Sequence, residues 1–380
     1  MIIATNRHAQ VNVNLEAIKQ NVKRQIESFN TDVDVFGVVK ANGYGHGMVP
    51  VAQAILQAGA KGLCVAMIDE ALELRQQGIL CPILVLGIQD SSLAPLAVEY
   101  DISLPVGNLN WLKQATTYLK STQQLKIHLA VDSGMGRIGF MDASQMPEIE
   151  SFLTNHQTAF EVEGLFTHFA TADEADDSYF NYQVSRFNAV KDKFNLKPKY
   201  IHMTNSATSL FHHNIHGNMV RIGIGLYGLN PSSSPSAKDL DLPYDLSPAL
   251  SLTSELVFVK EITPEMGVSY GATYKAEKSQ WIGTIPVGYA DGWSRKMQGF
   301  KVKVGDEYCP IVGRVCMDQF MVKLSKPYDV GTRVTLISDN PNEPNSVTAV
   351  ANYIDTIHYE VICGLTPRLK RVYHNSIESE

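Results

Sequence analysis

The sequence predicts an α/β fold: a (β/α)8 TIM-type barrel over residues 11–240, followed by a mainly β C-terminal domain over residues 245–380. Short apolar runs alternate with amphipathic stretches from about residue 11 to 229. A segment rich in proline and serine, 230–237, then interrupts the pattern, and strands joined by turns dominate beyond it. A chain of 380 residues is also longer than one hydrophobic core usually serves, so two domains are expected.

The barrel prediction rests on eight apolar runs with little polar alternation, as in parallel strands that are buried on both faces. The runs are residues 33–39, 62–67, 82–87, 102–106, 126–131, 163–169, 200–203 and 219–224. Helical patterns accompany them at 14–28, 48–58, 69–77, 109–119 and 179–194. Eight repeats in about 220 residues match the size of a barrel, although a doubly wound open sheet would show the same alternation.

The C-terminal domain is predicted from a change to strands and turns. The predicted strands are residues 252–262, 281–287, 301–304, 320–324, 333–338 and 369–373, interrupted by one helix at 346–354. Residues 1–10 are too few for a barrel unit and could pair with this domain instead.

The composition excludes several classes of protein. A net charge of -7, with 44% hydrophobic and 19% charged residues, argues against a general binder of nucleic acids or membrane surfaces. Residues 1–6 show no secretion signal, and no apolar stretch approaches the roughly 20 residues of a membrane helix, so a cytoplasmic location is expected. The five cysteines form no Cys-x-x-Cys pair, which favours buried reduced thiols over disulfides or a zinc ribbon.

One histidine cluster has a spacing found in metal sites. His212 and His216 are four residues apart, with His213 between them. No acidic residue lies among them, and Asn214 and Gly217 indicate a loop. No metal site is therefore predicted.

In a barrel, functional side chains lie just beyond the C-terminal ends of the strands. Lys40 directly follows the first run and precedes a glycine-rich turn. Desolvation at the end of a buried strand would lower the pKa of its amine, as a Schiff-base lysine requires. From its position alone, a lysine that simply emerges into solvent explains the pattern equally well.

Gly134, Gly136 and Gly139 spell the G-x-G-x-x-G motif of dinucleotide sites. The motif follows the fifth strand rather than the first, and Arg137 stands among glycines that normally allow close backbone approach to a pyrophosphate. A tight loop that presents Arg137 to an anionic ligand is the favoured interpretation.

Further polar residues follow the later strands. They are His168 after the sixth, His202, Asn205 and Ser206 around the seventh, and Arg221, Gly223 and Ile224 at the eighth. The loops after strands seven and eight of a barrel commonly bind phosphate, which predicts that role for Ser206 and the amides of Gly223 and Ile224. Taken singly, each residue also has an ordinary structural explanation, such as helix capping.

Together these segments resemble the alanine racemases, bacterial pyridoxal-phosphate enzymes that combine a (β/α)8 barrel with a C-terminal β domain. The resemblance covers nearly the whole chain. The matching motifs occur in the family's order at residues 38–47, 132–139, 164–173, 202–207, 219–229, 268–274, 281–293, 313–319 and 359–361.

The resemblance implies a site for pyridoxal 5'-phosphate. Lys40 would form the Schiff base with the cofactor, and Arg221, steadied by His202, would face its ring nitrogen. His168 would lie against the ring, and the phosphate would be held by Tyr44, Ser206, Gly223, Ile224 and Tyr359. The full set of residues implied around the cofactor is Lys40, Tyr44, His168, His202, Asn205, Ser206, Arg221, Gly223, Ile224 and Tyr359. An arginine does not favour protonation of the ring nitrogen, which would weaken the electron sink and limit side reactions.

The resemblance also implies two bases on opposite faces of the substrate. Lys40 would act on the D-alanine face and Tyr270 on the L-alanine face, with Tyr270 supplied by the partner subunit of a homodimer. The substrate carboxylate would be bound by Arg137 and the backbone of Met317. The entrance would be narrowed by Tyr289 and Tyr359.

One position departs from the family. Many relatives carry a lysine, often carbamylated, two residues before the aspartate of the 132–139 motif, where this chain has Ala130. A carbamate there would orient Arg137 through charge-assisted hydrogen bonds. We hypothesise that an anion, water or another side chain supports Arg137 instead, and activity that depends on chloride would favour the anion.

The leading hypothesis is interconversion of L-alanine and D-alanine, supplying D-alanine for peptidoglycan. A serine or broad-specificity amino-acid racemase on the same scaffold stays open. A decarboxylase of related fold is disfavoured, because Arg221 stands where such enzymes carry an acidic partner for the ring nitrogen. A non-catalytic pyridoxal-phosphate carrier is disfavoured by the long β domain with its Tyr270 motif.

Overall fold

The computed structural model describes residues 2–29, 32–212, 217–232, 240 and 242–375. Two large sheets organise this part of the chain. The first strand, β1 (Ala9–Asn14), belongs to the second of these sheets, and helix α1 (Leu15–Glu27) leads from it into the first. Alternate residues of β1 are buried, as expected for a strand with one face on a core.

Eight parallel strands form the first sheet. They are β2 (Asp34–Val38), β3 (Gly62–Val65), β4 (Ile83–Val85), β5 (Ile102–Val106), β6 (Leu125–Ala130), β7 (Phe160–Phe166), β8 (Tyr200–His202) and β9 (Met219–Ile222). They pair in the order β8-β7-β6-β5-β4-β3-β2-β9. The Asn218 amide, just before β9, donates to the Ile201 carbonyl of β8 at 3.1 Å, so the sheet is nearly closed into a barrel.

Helices pack around the barrel. They are α3 (Met48–Gln57), α4 (Ile68–Gln76), α5 (Ala94–Glu99), α6 (Leu109–Tyr118), α7 (Met146–Asn155), α8 (Ser178–Lys191) and α9 (Ser206–Phe211). The short segment α2 (Lys40–Tyr44), directly after β2, is a left-handed turn rather than a regular helix. Asparagine side chains cap three helices of the barrel part: Asn14 caps α1, Asn108 caps α6 and Asn205 caps α9. Each accepts a backbone N–H three residues ahead, which fixes where the helix begins.

The second sheet is built from β1 and the C-terminal part of the chain. The elements of the C-terminal part are β10 (Leu250–Glu255), β11 (Phe258–Ile262), β12 (Gly267–Val268), β13 (Tyr274–Lys275), β14 (Gln280–Ile285), β15 (Lys301–Val304), β16 (Glu307–Val312), β17 (Phe320–Leu324), β18 (Arg333–Ile337), α10 (Val347–Tyr353), α11 (His358–Gly364) and β19 (Lys370–His374). Nine strands pair in the order β11-β14-β17-β16-β15-β18-β10-β1-β19, while β12 and β13 form a separate hairpin.

The predicted fold class is confirmed: a nearly closed eight-stranded barrel is followed by a mainly β C-terminal part. Each of the eight apolar runs overlaps a strand, although β6 and β7 begin before their predicted runs. The runs could be recognised because almost every residue of these strands is buried, which leaves a continuous apolar stretch in the sequence.

The prediction of a single strand at 252–262 is wrong. The chain forms two strands there, β10 and β11, because Leu256 and Val257 leave the ladder and bond to other segments. The Leu256 amide donates to the Thr332 carbonyl and the Val257 amide to the Thr284 carbonyl, both at 2.9 Å. Since β10 and β11 stand far apart in the strand order, the sheet curls back on itself between them.

The prediction of a single C-terminal helix is also wrong, because α11 follows α10, and strand β16 was not predicted. Helix α11 has only seven residues, and its two buried residues, His358 and Ile362, are four apart but too few to establish a helical period in the sequence. Strand β16 contains Pro310, a residue that usually argues against a strand.

Some predictions fall on residues outside the described ranges. Residues 233–237 of the proline- and serine-rich segment lie there, as do His213 and His216. Among the helices that the structure describes, none is both long enough and apolar enough to cross a membrane.

Candidate active site

Lys40 follows β2 at the C-terminal end of the barrel and is half-buried. Burial lowers the pKa of its amine, and the positive charge of Arg137 lowers it further, while Glu70 acts in the opposite direction. A lysine with a lowered pKa gives up its proton more readily. Such an amine can form a Schiff base and can also accept a proton.

The backbone that follows Lys40 is left-handed. Five consecutive residues, 41–45, have φ values between 51° and 79°. Each non-glycine residue in this conformation costs roughly 1–2 kcal/mol, so neighbouring groups must hold the turn in place. The sequence signalled only its glycines, because Ala41 and Tyr44 give no local reason to be left-handed.

Contacts from three directions hold this left-handed turn. Glu70 of α4 accepts the Ala41 N–H at 2.7 Å and also the Ala66 N–H at 2.7 Å, which joins the ends of β2 and β3. Arg371 of β19 donates from Nε to the Gly45 carbonyl at 3.1 Å. Gly45 also lies so close to α11 that a Cβ would stand 2.1 Å from a carbonyl oxygen of that helix. The backbone of the reactive lysine is thus fixed by both parts of the fold.

An arrangement of backbone amides and hydroxyls lies between the ends of β8 and β9. Ser206 Oγ accepts hydrogen bonds from the amides of Gly223 at 2.9 Å and Gly225 at 3.3 Å. A Cβ on Gly223 would stand 2.6 Å from the Tyr44 hydroxyl oxygen, so only glycine allows that hydroxyl to approach. Ile224 is buried between these two glycines. Backbone amides and two hydroxyls therefore converge where a phosphate could bind.

Three tyrosine rings pack beside this arrangement. The Tyr44 ring centroid lies 4.7 Å from that of Tyr227 and 6.1 Å from that of Tyr359. Burial raises the pKa of Tyr44 and of Tyr359 above the usual tyrosine range. Both hydroxyls stay protonated at neutral pH and can donate hydrogen bonds.

Arg221 of β9 is buried, with 3% of its surface exposed. Its Nη1 donates to His202 Nδ1 and its Nη2 donates to the Thr167 carbonyl at 2.9 Å. Burial lowers the pKa of Arg221 to about 10, so it remains charged at neutral pH. Among the residues that the structure describes, no carboxylate accepts a hydrogen bond from this guanidinium.

The hydrogen bonds continue behind Arg221 through the barrel interior. His202 Nε2 lies 2.8 Å from His128 Nδ1, and His128 Nε2 lies 3.0 Å from a carboxylate oxygen of Glu163. Ser103 donates its hydroxyl to the same oxygen at 2.5 Å. We call Arg221, His202, His128, Glu163 and Ser103 the buried polar chain.

His168 and Arg137 complete the barrel side of the site. Burial, followed by the positive charges of Arg221, Arg137 and Lys40, lowers the pKa of His168 to about 3, so its ring is neutral. Arg137 is exposed, and within the described residues its side chain makes no hydrogen bond. Ala130, at the departure from the family pattern, is buried and offers only a methyl group.

The loop that carries Arg137 is nevertheless well defined. Asp132 Oδ1 accepts the amides of Gly134 and Gly136, both at 3.0 Å. Tyr179 of α8 donates its hydroxyl to the Gly134 carbonyl at 2.7 Å. The glycine motif therefore builds a tight loop, as the sequence predicts, with the arginine facing outward.

The remaining predicted site residues form a second group on the β domain. Tyr270, Met317 and Tyr289 are 71%, 53% and 42% exposed. Their segments are joined: the Tyr289 amide donates to the Cys316 carbonyl at 3.1 Å, and Ser269 donates to the Arg314 carbonyl at 2.6 Å. Within the described part of one chain, no hydrogen bond or ring contact links these three side chains to Lys40.

The side chain of His212 is held by contacts with neighbouring residues. Its Nε2 lies 3.0 Å from the Ala172 carbonyl oxygen, and its ring stacks on Phe180 at 3.8 Å. Across the described ranges, no group of three histidine, cysteine or acidic side chains is placed to hold a metal ion.

Two family models match the chain, the alanine racemase N-terminal domain over residues 13–231 and the alanine racemase C-terminal domain over residues 249–373. This chain belongs to the alanine racemase family. It is therefore a pyridoxal-phosphate-dependent isomerase, and the resemblance seen in the sequence is confirmed.

Known members of the alanine racemase family are similar over their whole length. The alanine racemase of Lactobacillus acidophilus is 54% identical, over 98% of this chain and 100% of that protein. The crystal structure of the alanine racemase from E. faecalis matches with a TM-score of 0.95 and 45% identity, covering 98% of this chain and 100% of that one. A histidine racemase from Leuconostoc mesenteroides subsp. sake matches with a TM-score of 0.90 and 32% identity, covering 98% and 100%.

The residues of this alanine racemase family member fit pyridoxal phosphate. Lys40 has a lowered pKa, the amides and hydroxyls around Ser206 suit a phosphate, and buried Arg221 adds positive charge. Glu70, His128, Glu163 and Ser103 were not predicted from the sequence. A signal was present for the last three, since each is a polar residue within a predicted barrel strand.

Proposed function

We propose that this enzyme interconverts L-alanine and D-alanine and so supplies D-alanine for peptidoglycan. The observation that carries the proposal is the presence, at the same end of the barrel, of Lys40, whose pKa is lowered, and of buried Arg221, which has no carboxylate partner among the described residues. Relatives about half identical that bear the name alanine racemase support the choice of substrate. We place the reaction in the cytoplasm as part of the same proposal, since all five cysteines are free thiols.

Pyridoxal phosphate, when bound, would draw electrons from the α-carbon of the substrate and acidify its C–H bond. In this proposal Lys40 would tether the cofactor, His168 would pack against its ring, and Arg221 would bind its ring nitrogen. His202 would steady Arg221, and Asn205 would position the loop beside them. The phosphate would be held by Tyr44, Ser206, Gly223, Ile224 and Tyr359.

The chain's own groups would then move one proton on each face of the α-carbon. Lys40 Nζ takes or returns the proton on the D-alanine face, and the hydroxyl of Tyr270 does so on the L-alanine face. The substrate carboxylate binds to Arg137 and the backbone N–H of Met317. Access is limited by Tyr289 and Tyr359.

The proposal requires a homodimer. Tyr270, Tyr289 and Met317 are exposed on joined segments of the β domain, and among the described residues of one chain no hydrogen bond or ring contact links their side chains to Lys40. If a second copy seats this surface over the barrel mouth, the tyrosine reaches the face of the substrate opposite the lysine. The positive groups at the barrel mouth would then be enclosed, which strengthens their hold on an anionic substrate.

Hydrogen exchange in D2O tests the proposal most directly. The purified enzyme with pyridoxal phosphate should incorporate deuterium at the α-carbon of alanine while chiral chromatography shows equal amounts of both enantiomers at equilibrium. Bound cofactor with no exchange would indicate the non-catalytic carrier. Exchange without inversion would contradict the assignment of a second base.

A racemase for another amino acid is the second candidate, favoured by the structural similarity to a histidine racemase. Serine and broad specificity belong to the same alternative. Comparison of kcat/KM for alanine, serine, lysine and histidine separates them. A clear preference for any amino acid other than alanine would overturn the first proposal.

A further inference from the structure

The buried polar chain lies inside the barrel and ends at a carboxylate. Its members come from β9, β8, β6, β7 and β5, and their exposed fractions lie between 0% and 7%. The distances along it are all within hydrogen-bonding range. So many polar groups in a barrel core are costly to bury unless each one is satisfied.

The direction of every hydrogen bond in the buried polar chain can be deduced. A guanidinium can only donate, so His202 Nδ1 must accept from Arg221. Neutral His202 then carries its proton on Nε2 and donates to His128 Nδ1. His128 in turn carries its proton on Nε2 and donates to Glu163. A proton on Nδ1 of either ring would place two donors face to face.

The local packing supports this geometry. A Cβ on Gly164 would stand 2.1 Å from His128 Nδ1, so the glycine makes room for the imidazole against β7. Phe166 stacks on His202 with 5.0 Å between ring centroids and 4° between ring planes. Both rings are therefore confined, and neither can turn over without displacing a neighbour.

The charges at the two ends complement each other. Arg221 is cationic and buried, and it has no carboxylate in direct contact within the described residues. Burial tends to raise the pKa of Glu163, but the hydrogen bonds from His128 and Ser103 outweigh it and hold the value at about 2. Lys126 and Lys199, at the outer ends of neighbouring strands, are the other charged groups that act on Glu163 and His128.

We propose that Glu163 is a positioning residue for the reaction: through the two imidazoles it acts as the counter-ion of Arg221 and fixes the orientation of that guanidinium toward the cofactor ring. This inference rests on the proposed function. A negative charge two imidazoles away polarises both rings and makes His202 Nδ1 a stronger acceptor. Arg221 is thereby held without a carboxylate at the ring nitrogen itself.

The first test is the protonation of the two histidines. We expect nitrogen-15 NMR of full-length protein labelled on histidine, with and without pyridoxal phosphate, to show an unprotonated Nδ1 and a protonated Nε2 for both rings. His128→Gln and His202→Gln spectra assign the signals. A protonated Nδ1 on either ring of the wild-type protein would refute the deduced direction, and the result does not depend on which amino acid the enzyme racemises.

The second test separates charge from hydrogen bonding. Glu163→Gln keeps an oxygen that accepts from His128 but removes the charge, so both rings should keep their protons on Nε2 while kcat falls about tenfold and KM changes little. Glu163→Leu also removes the acceptor, so the proton on His128 Nε2 loses its partner and kcat should fall by about 10- to 100-fold.

Glu150→Gln is the matched control, because Glu150 of α7 also accepts hydrogen bonds from another segment but lies outside the barrel. Its kinetics should be those of the wild-type enzyme. A Glu163→Gln variant with wild-type kcat would refute the proposal. This experiment decides the question even if Glu163→Leu fails to fold. If the wild-type protein does not racemise alanine, the proposed function is refuted instead. The histidine spectra do not depend on that activity, so they test the hydrogen-bond directions separately.

Discussion

At the scale of single residues, burial sets the charge of the groups in the site. It lowers the pKa of Lys40 and of Arg221, and it raises the pKa of Tyr44 and Tyr359. The amine is therefore moved towards its neutral form, whereas the arginine stays cationic and the tyrosines stay protonated. The roles proposed for Lys40 and for the phosphate-binding hydroxyls follow from these charge states.

Variants of the two proposed bases should have different effects. Lys40→Ala removes the amine that tethers the cofactor, so the visible absorbance of lysine-bound cofactor should disappear together with racemisation. Tyr270→Phe should keep that absorbance, while racemisation falls about 10²- to 10⁴-fold for lack of one base. Spectra and chiral chromatography check both. Tyr182→Phe, at an exposed tyrosine of α8, is the control, and a Tyr270→Phe enzyme as active as this control would exclude Tyr270 as a base.

Acid should destabilise the fold through buried neutral histidines. Burial lowers the pKa of His46 and of His358 to about 4, and both side chains have 0% exposure. The unfolded chain takes up these protons near pH 6.5 whereas the folded chain does not, so stability is full above pH 6.5 and is lost as the pH falls towards 4. At pH 5 each histidine should cost about 2 kcal/mol of unfolding free energy.

Urea unfolding at pH 7.5 and pH 5 measures this loss. His46→Gln removes one of the buried neutral histidines, so its stability should depend less steeply on pH than that of the wild-type protein. Equal unfolding free energies at the two pH values would show that these rings are protonated in the folded state.

At the scale of elements, the left-handed turn at 41–45 determines where Lys40 points. Three of its residues are not glycine, so its conformation comes from the contacts of Glu70, Arg371 and α11 rather than from local preference. A turn whose conformation depends on contacts with other segments should be destabilised by any change in the packing of those contacts.

Gly45→Ala should therefore destabilise the protein by about 3 kcal/mol or more, since it adds backbone strain to a Cβ placed 2.1 Å from the Ile362 oxygen. Gly78→Ala is the matched control, because Gly78 has φ 78° and no atom within 4 Å of its Cβ position. It should cost only about 1–2 kcal/mol, from strain alone. Urea unfolding gives both values, and equal losses would show that the contact with α11 is not tight.

The barrel elements could be predicted from the sequence, whereas the left-handed turn could not. Strands such as β5 are buried along their whole length and leave an apolar run, but Ala41 has no local preference for a positive φ. Similarly, Lys40 and Arg221 could be located at strand ends. The pairing of His128 with His202 could not, because it depends on which inward-facing residues of β6 and β8 meet inside the barrel.

At the scale of the whole molecule, the proposed site residues lie on two surfaces. Lys40 and the groups proposed to bind phosphate lie at the barrel mouth, and Tyr270, Met317 and Tyr289 lie on the β domain. The sequence could suggest each residue but not this division, which depends on how the two sheets are placed in one chain. The proposed homodimer brings the two surfaces together.

Mixing inactive variants tests this division. Lys40→Ala and Tyr270→Phe subunits that exchange at random should form hybrid dimers in which one site has both bases, giving about a quarter of wild-type activity. Separate homodimers of each variant are the controls and should stay inactive. If both bases came from the same chain, mixing would restore no activity.

Strand β1 has a consequence for how the chain is made. Its partners are β10 and β19, with Val11 opposite Leu252 and Arg371. During translation, domains fold from the N-terminus as they leave the ribosome, so the barrel strands emerge long before β1 has either neighbour. The second sheet can close only when β19 has been synthesised. Strand β1 therefore reaches its final position after the barrel strands, although it precedes all of them in the sequence.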